Sequence, residues 1–283
     1  MPRYFITGSS GSWGRATVKF LLAKKETEHI VALCRSESRA EQLLIANNRD
    51  PRLSIYLADI RDRHRIQHAM RGCTHVIHFA ALKRIDAGLY SPTEMASINI
   101  AGTQSVIDAM IENQIERGFF TSSDKACLPS TYYGASKYIG EQLWLSANGL
   151  HGVETVAARF GNALNSTGSV LEVWQRCMQE GKPLPVRFDG SATRFVLTLK
   201  DGAKAVDWYL HNGESGKILA PELPTTTLYN LARAVAGDAY PLIWENVIPG
   251  EKKHEQLLPD GPTSAEGEHL TVDELREMLK EVQ

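Results

Sequence analysis

The chain has 283 residues, 43% of them hydrophobic and 23% charged, with a formal net charge of −2; this is the balance of a globular protein long enough for one large α/β domain or a nucleotide domain with a smaller companion. So small a charge gives no electrostatic footprint for nucleic acid or an anionic membrane, so any anion must be held by a local site. No apolar run approaches the roughly 18 residues of a membrane helix, nothing ahead of Pro2 reads as a signal peptide, and Cys34, Cys73, Cys127 and Cys177 form neither a C-x-x-C nor a metal-ligand spacing. The expectation is a metal-free cytoplasmic protein with reduced thiols.

Residues 3–7 read as a first strand that runs into Gly8-Ser9-Ser10-Gly11-Ser12-Trp13-Gly14 and then into a helical pattern through Val18, Leu21 and Leu22. Glycines let the backbone turn sharply and approach a pyrophosphate, and the helix start offers unpaired N–H groups and the positive end of its dipole. Gly8, Ser10, Gly11, Ser12, Trp13 and Gly14 are therefore candidate dinucleotide contacts. A second strand, residues 29–34, is followed by Arg35 and Ser36 instead of the Asp or Glu that would bind a ribose 2′-hydroxyl. That pair suits a 2′-phosphate and predicts NADP, with NAD as the alternative. The third strand, 53–57, ends near Asp59 and Ile60, where a carboxylate can accept from an adenine amino group or cap the helix that starts near residue 63. The fourth, 75–79, leads to Ala80, Ala81 and Lys83, and small residues at this strand end permit close approach of a ring or ribose. A helix predicted over 93–112 contains Asn99, placed either to orient Lys137 through water or on the surface.

A fifth strand, 118–121, delivers residues 121–137, which contain Tyr133 and Lys137 four apart, with Ser123, Asp124 and Lys125 just upstream. On a helix the i, i+4 spacing stacks Tyr133 and Lys137 on one face, so the ammonium is expected to lower the phenol's pKa and free it as a base, a hydride-transfer signature. Tyr132 is turned away by about 140°, and Cys127, the thiol nearest this stretch, reads as packing. The helix is expected to end near residue 148 and to be followed by a sixth strand, 154–159, leading to Asn162. Strands and helices that alternate with short connections predict a doubly wound parallel sheet.

After residue 163 the loops lengthen, with helices expected over 170–180, 200–212 and 226–236. Residues 1–163 read as a nucleotide-binding domain, with about 191–213 returning to its sheet, and 164–283 as mainly a substrate-binding portion. Arg194 and the turn 249–254 are candidates for an anion or a sugar nucleotide, and a terminal helix over 271–282 is expected, capped by Thr271 with Glu274 completing a capping box.

Six blocks in order, TGSSGSWG at 7–14, FAALKRI at 79–85, SDKACLPSTYYGASK at 123–137, RFGNALNSTGSV at 159–170, TRFVLTL at 193–199 and PGEKKHEQL at 249–257, resemble the extended short-chain dehydrogenase/reductases, and within them the polysaccharide-biosynthesis group of C5-inverting UDP-N-acetylglucosamine 4,6-dehydratases. Lys125 carries the distinction, because the corresponding cluster of the C5-retaining nucleotide-glucose dehydratases resembles Thr-Asp-Glu. The resemblance implies a Rossmann sheet, a tightly held NAD(P) regenerated within the cycle, a UDP-sugar substrate and a homo-oligomer. It implies Ser123, Asp124, Lys125, Tyr133 and Lys137 as catalytic residues. Tyr133 takes the sugar 4-hydroxyl proton, Ser123 binds the 4-oxygen, Lys125 removes the C5 proton and Asp124 protonates the departing 6-hydroxyl. Lys83, Asn162, Arg194 and Glu251 are its implied substrate contacts, and Trp13 stands where a smaller aromatic is usual. The competing readings are a UDP-sugar 5,6-dehydratase, a 4-epimerase and a non-catalytic NAD(P)-binding regulator, the last of which would have no use for Ser123, Tyr133 and Lys137 together.

Overall fold

A computed structural model describes residues 1–280. In chain order the strands are β1 (Arg3–Thr7), β2 (His29–Cys34), β3 (Leu53–Leu57), β4 (His75–His78), β5 (Arg117–Ser123), β6 (Glu154–Phe160), β7 (Asn162–Ala163), β8 (Leu184–Arg187), β9 (Thr193–Leu197), β10 (Ile218–Leu219), β11 (Thr225–Thr227) and β12 (Leu242–Glu245). The helices are α1 (Ser12–Leu22), α2 (Glu37–Ala46), α3 (Arg63–Ala69), α4 (Ile85–Tyr90), α5 (Pro92–Ala96), α6 (Gly102–Glu112), α7 (Tyr132–Ser146), α8 (Val170–Gln179), α9 (Leu199–Asn212), α10 (Leu228–Ala236) and α11 (Val272–Lys280). None of the described helices is long and apolar enough to cross a membrane.

Seven strands form one parallel sheet in the order β10-β6-β5-β4-β1-β2-β3. Tyr4, Phe5, Ile6, Val76, Ile77, Phe119 and Val156 are fully buried; strands with apolar side chains on both faces need a helical layer on each side, which the crossover helices supply. The strand order reverses at β1 and β4, and ligands of open parallel sheets bind outside the carboxyl ends at such a switch point. Pairing of β4 with β5 stops at His78–Phe120, whereas β5 pairs with β6 as far as Ser123–Phe160. The last three residues of β5 therefore project past β4, carrying Ser123 to the rim.

The later chain builds a second core around Leu171, Trp174, Val186, Leu231 and Leu275, under a three-stranded sheet β11-β9-β7 and the parallel pair β12-β8. Strand 193–195 was expected in the main sheet, but β9 pairs with β7 and β11 instead. The helix after it does return: Val206, Tyr209 and Leu210 of α9 share a core with Val18 and Leu21 of α1, and Lys24 meets Asp207 at 2.7 Å. The two-residue β10 extends the main sheet beside β6, and β8 and β12 form a strand pair that no alternation in the sequence announces. The helix expected over 93–112 is interrupted by a π-helical turn, Ser97–Ala101, that contains Asn99. Thr271 and Glu274 form the expected capping box, each bonded to the other; the end of that predicted helix, at 281–282, lies outside the described residues.

Candidate active site

The glycine turn between β1 and α1 has the shape of a phosphate cradle. Gly8 has φ +64°, and a Cβ there would lie 2.7 Å from the Ala80 nitrogen; one on Gly14 would lie 2.4 Å from the Gly8 carbonyl oxygen. Only glycine fits either place. Gly11 is the N-cap of α1, with no side chain capping the first turn and no acidic residue in it, so the N–H groups and the positive dipole end remain directed at the strand ends. This geometry fits the pyrophosphate of a dinucleotide.

The neighbouring predicted contacts divide. Ser12 is tied to the far loop through Thr167, whose nitrogen donates to its Oγ at 2.8 Å and whose hydroxyl lies 2.9 Å away. Trp13 is packed inward, 4.8 Å from the Phe160 ring and against Gly202 of α9, where a Cβ would lie 2.6 Å from the indole. Trp13 is only half-buried, and Gly202, which makes room for it, carries no signal in the sequence. Ser10 is half-buried and Arg35 exposed just past β2. Ser36 is the N-cap of α2, accepting from the Arg39 nitrogen, and so is already engaged. Asp62 caps α3; Asp59 does not, because Arg61 binds its carboxylate through two side-chain contacts of 2.8 Å and holds its pKa down at about 2. Ile60 turns its side chain into the core against Gly102.

At the end of β4, Ala80 donates its N–H to Thr7 Oγ1 at 3.2 Å, with Ala81 half-buried beside it. Asn99 pins this segment from the π-helical turn: its Oδ1 accepts from Leu82 N at 2.7 Å, and its Nδ2 donates to the Leu82 carbonyl and to Ser136 Oγ, each at 2.9 Å. Its side chain thus positions two backbones. A π-turn placed to do this is a common device at functional sites.

Ser123, Asp124, Lys125, Tyr133 and Lys137 converge. Asp124 is 1% exposed and accepts from Ser123 Oγ at 2.9 Å and from Lys125 Nζ at 2.9 and 3.0 Å. Lys125 also donates to Asn162 Oδ1 at 3.0 Å and lies 3.5 Å from Glu255 Oε1. Burial opposes its charge, but Asp124 and Glu255 outweigh it and hold the ammonium's pKa above the ordinary value. Lys137, 4% exposed, sets its Nζ 3.9 Å from the centre of the Phe120 ring. Burial brings its pKa down to about 7 against the pull of Glu141, a carboxylate already held by Arg159 through two contacts of 2.8 Å.

Burial pushes the Tyr133 phenol up to about 12; the charge of Lys125 and a hydrogen bond with Ser123 pull it down, and Asp124 pushes it up. The charge of Lys125 reaches the phenol from across the turn. Cys127 is fully buried, and its carbonyl accepts from Lys252.

The implied substrate contacts fare unevenly. Lys83 is exposed and reaches Ser166 Oγ at 3.4 Å. Asn162 holds Lys125, as above. Arg194 is 3% exposed and spends its donors on the Thr193 and Lys253 carbonyls and on Glu251 Oε1 at 3.2 Å, and the second oxygen of Glu251 is taken by Arg187 at 3.1 Å. Arg194 is thus a buried strut, and Arg187, which sequence reasoning missed, is the half-buried cation beside it.

A model of the family described as polysaccharide biosynthesis protein matches residues 4–275. A UDP-N-acetylglucosamine 4,6-dehydratase (inverting) of Campylobacter jejuni subsp. jejuni serotype O:2 is 34% identical over 95% of this chain and 79% of its own length, and a UDP-glucose 4-epimerase of Rickettsia rickettsii is 31% identical over 89% and 76%. Among solved structures, Pen from Bacillus thuringiensis superposes with TM-score 0.93 at 25% identity, covering 100% of this chain and 98% of that one. DesIV, a dTDP-glucose 4,6-dehydratase from Streptomyces venezuelae solved with NAD and TYD bound, has the same fold at TM-score 0.82 and 20% identity, covering 98% and 96%. With one family model spanning nearly the whole chain and its motifs gathered at the carboxyl ends of a Rossmann sheet, the chain belongs to the polysaccharide biosynthesis protein family, within the extended short-chain dehydrogenase/reductases.

Proposed function

We propose that this protein is a sugar-nucleotide 4,6-dehydratase that acts on UDP-N-acetylglucosamine or a close relative and inverts C5. The observation that carries the reading is the buried Asp124–Lys125 ion pair, hydrogen-bonded to Ser123 beside Tyr133. Elimination of water across C5 and C6 needs one base and one acid. A single proton moved along the 2.9 Å contact from Lys125 to Asp124 turns ammonium and carboxylate into amine and carboxylic acid, both at once, with no change in the pair's total charge.

The residues of the glycine turn hold the nicotinamide dinucleotide, and Asp59 and Arg35 flank its adenosine end. A bound oxidised nicotinamide would supply the hydride acceptor for C4 and donor for C6, and a positive charge that would favour the phenolate of Tyr133. Tyr133 takes the 4-hydroxyl proton while Ser123 holds the 4-oxygen, and the ketone so formed makes the C5 proton acidic. Lys125 as the amine removes that proton; Asp124 as the acid protonates the 6-oxygen, and water leaves. The pair is then ionic again, and Lys125 gives a proton to C5 on the opposite face. The proton left on Tyr133 passes through Ser123 and Asp124 back to Lys125, along hydrogen bonds already present in the structure.

The dinucleotide is NADP, supported by the exposed Arg35 and the lack of a carboxylate at the end of β2; tighter binding of NAD in a titration of both would sink that assignment. Lys83 and Arg187 supply the cations for the substrate diphosphate. Residues 1–163 bind the dinucleotide and residues 164–283 mainly the sugar nucleotide, in a cytoplasmic homo-oligomer. The test is incubation with UDP-N-acetylglucosamine in heavy water, followed by mass spectrometry and NMR. Loss of water with deuterium at an inverted C5 is expected; an isomer of unchanged mass means an epimerase, and an exocyclic alkene with a surviving 4-hydroxyl means a 5,6-dehydratase.

A further inference from the structure

Glu255 is 1% exposed, and its two oxygens are treated differently. One lies 3.5 Å from Lys125 Nζ; the other has no hydrogen-bond partner and lies 3.9 Å from the Lys252 ammonium. A buried carboxylate with half of its acceptors unmet costs free energy, and here the backbone prevents relaxation. Glu255 N donates to Ser264 Oγ at 2.8 Å and Ser264 N donates back to the Glu255 carbonyl at 2.7 Å, while Ser264 Oγ also bonds Thr193 on β9. The same loop is pressed onto the catalytic turn at Gly250, where a Cβ would lie 2.1 Å from the Ser130 carbonyl oxygen.

We propose that Glu255 is a positioning residue for Lys125, a carboxylate brought in by the C-terminal loop to hold Lys125 in place as it takes the C5 proton and later returns one. The proposal rests on the reading of Lys125 as the acid and base at C5. In that cycle Asp124 gives up its charge when it becomes the acid for the 6-oxygen, so for part of each turnover it cannot anchor an ammonium. Glu255 is the second carboxylate against Lys125, 3.5 Å away, with Arg194 and Lys252 as the opposing cations around the pair. Its unmet oxygen leaves its charge uncommitted to any other donor.

Glu255→Gln keeps the size and removes the charge. The expected result is a kcat roughly tenfold to hundredfold lower with KM within about twofold, and a product made in heavy water in which part of C5 has been protonated on its original face. Glu255→Asp, which keeps the charge on a shorter stem, should lie between the Gln variant and wild type in both respects. Wild-type kcat with wholly inverted C5 in Glu255→Gln overturns the proposal. A fall in rate with wholly inverted C5 overturns it too, because a purely structural role would produce that. If the Gln variant does not fold, as read by its melting temperature, the Asp variant decides: unchanged kcat and full inversion there end the proposal. Failure of the dehydratase reading looks different, since the wild-type protein would then release no water from UDP-N-acetylglucosamine.

Discussion

Lys125 and Lys137 stand on either side of Tyr133, twelve residues apart in the chain, and the fold puts them in opposite electrostatic states. Lys137 lies on α7 with its ammonium against the Phe120 ring, and burial brings it down to about 7 even though Glu141 opposes this. Lys125 is also taken out of water, but Asp124 and Glu255 reverse the effect and keep it charged. Burial discharges a lysine by default; a carboxylate in hydrogen-bonding contact overrules it, because Coulomb attraction grows as the dielectric falls. Glu141 is less able to do so for Lys137, since it is spent on Arg159. The difference leaves one lysine paired with a carboxylate beside it and the other against an aromatic ring as a group that titrates near neutrality.

The sharpest way to break this comparison is Lys125→Ala. Water loss should fall about 10³-fold or more, with dinucleotide affinity, measured by fluorescence titration, unchanged; full dehydration in that variant would remove Lys125 from the mechanism. Next in size is Glu141→Gln, which leaves Arg159 as a buried and poorly compensated charge and should cost about 3–5 kcal/mol in denaturant unfolding. It also removes the carboxylate that resists the discharge of Lys137, so the pKa of Lys137 should fall further. Lys137→Met tests the discharge itself. Because Lys137 is depressed from 10.5 to about 7, the unfolded chain holds a proton between those values that the native state has lost; stability therefore rises with pH across that window, and the burial penalty is fully present below pH 7. The Met variant should be more stable than wild type by about 4–5 kcal/mol at pH 6, an advantage that shrinks towards pH 10; a gap constant with pH would mean that Lys137 stays charged in the native state. The smallest effect belongs to Asn162→Ala. Loss of its bond to Lys125 should slow turnover about tenfold with little change in KM, and a raised KM alone would return Asn162 to the role of sugar contact.

Legibility in the sequence followed distance along the chain. The glycine turn, the Tyr133–Lys137 spacing, the Asp124–Lys125 neighbours and the Thr271–Glu274 capping box each lie within a few residues, where helix and turn geometry convert spacing directly into proximity. Glu255, Arg187 and Gly202 come to the site or its supports from 50 or more residues away from the elements they serve, and no periodicity marks them. Short parallel pairs such as β8 with β12 escaped for the same reason: four residues carry too little alternation, and their pairing is decided by the core beneath them.

Sequence alone determined the doubly wound sheet, because alternating apolar strands and amphipathic helices have few other ways to bury their faces, and it determined which local groups could do acid–base chemistry. Tertiary structure alone decided which of those groups are charged. The charge of Lys125 reaches Tyr133 from across the turn, and Asn162 and Arg194 make hydrogen bonds to Lys125 and Glu251. A side chain's protonation depends on every charge and dipole within a few ångströms and on how much water remains. Those neighbours are gathered from β5, α7, β7 and the loop carrying Glu255 only when the chain has closed on itself.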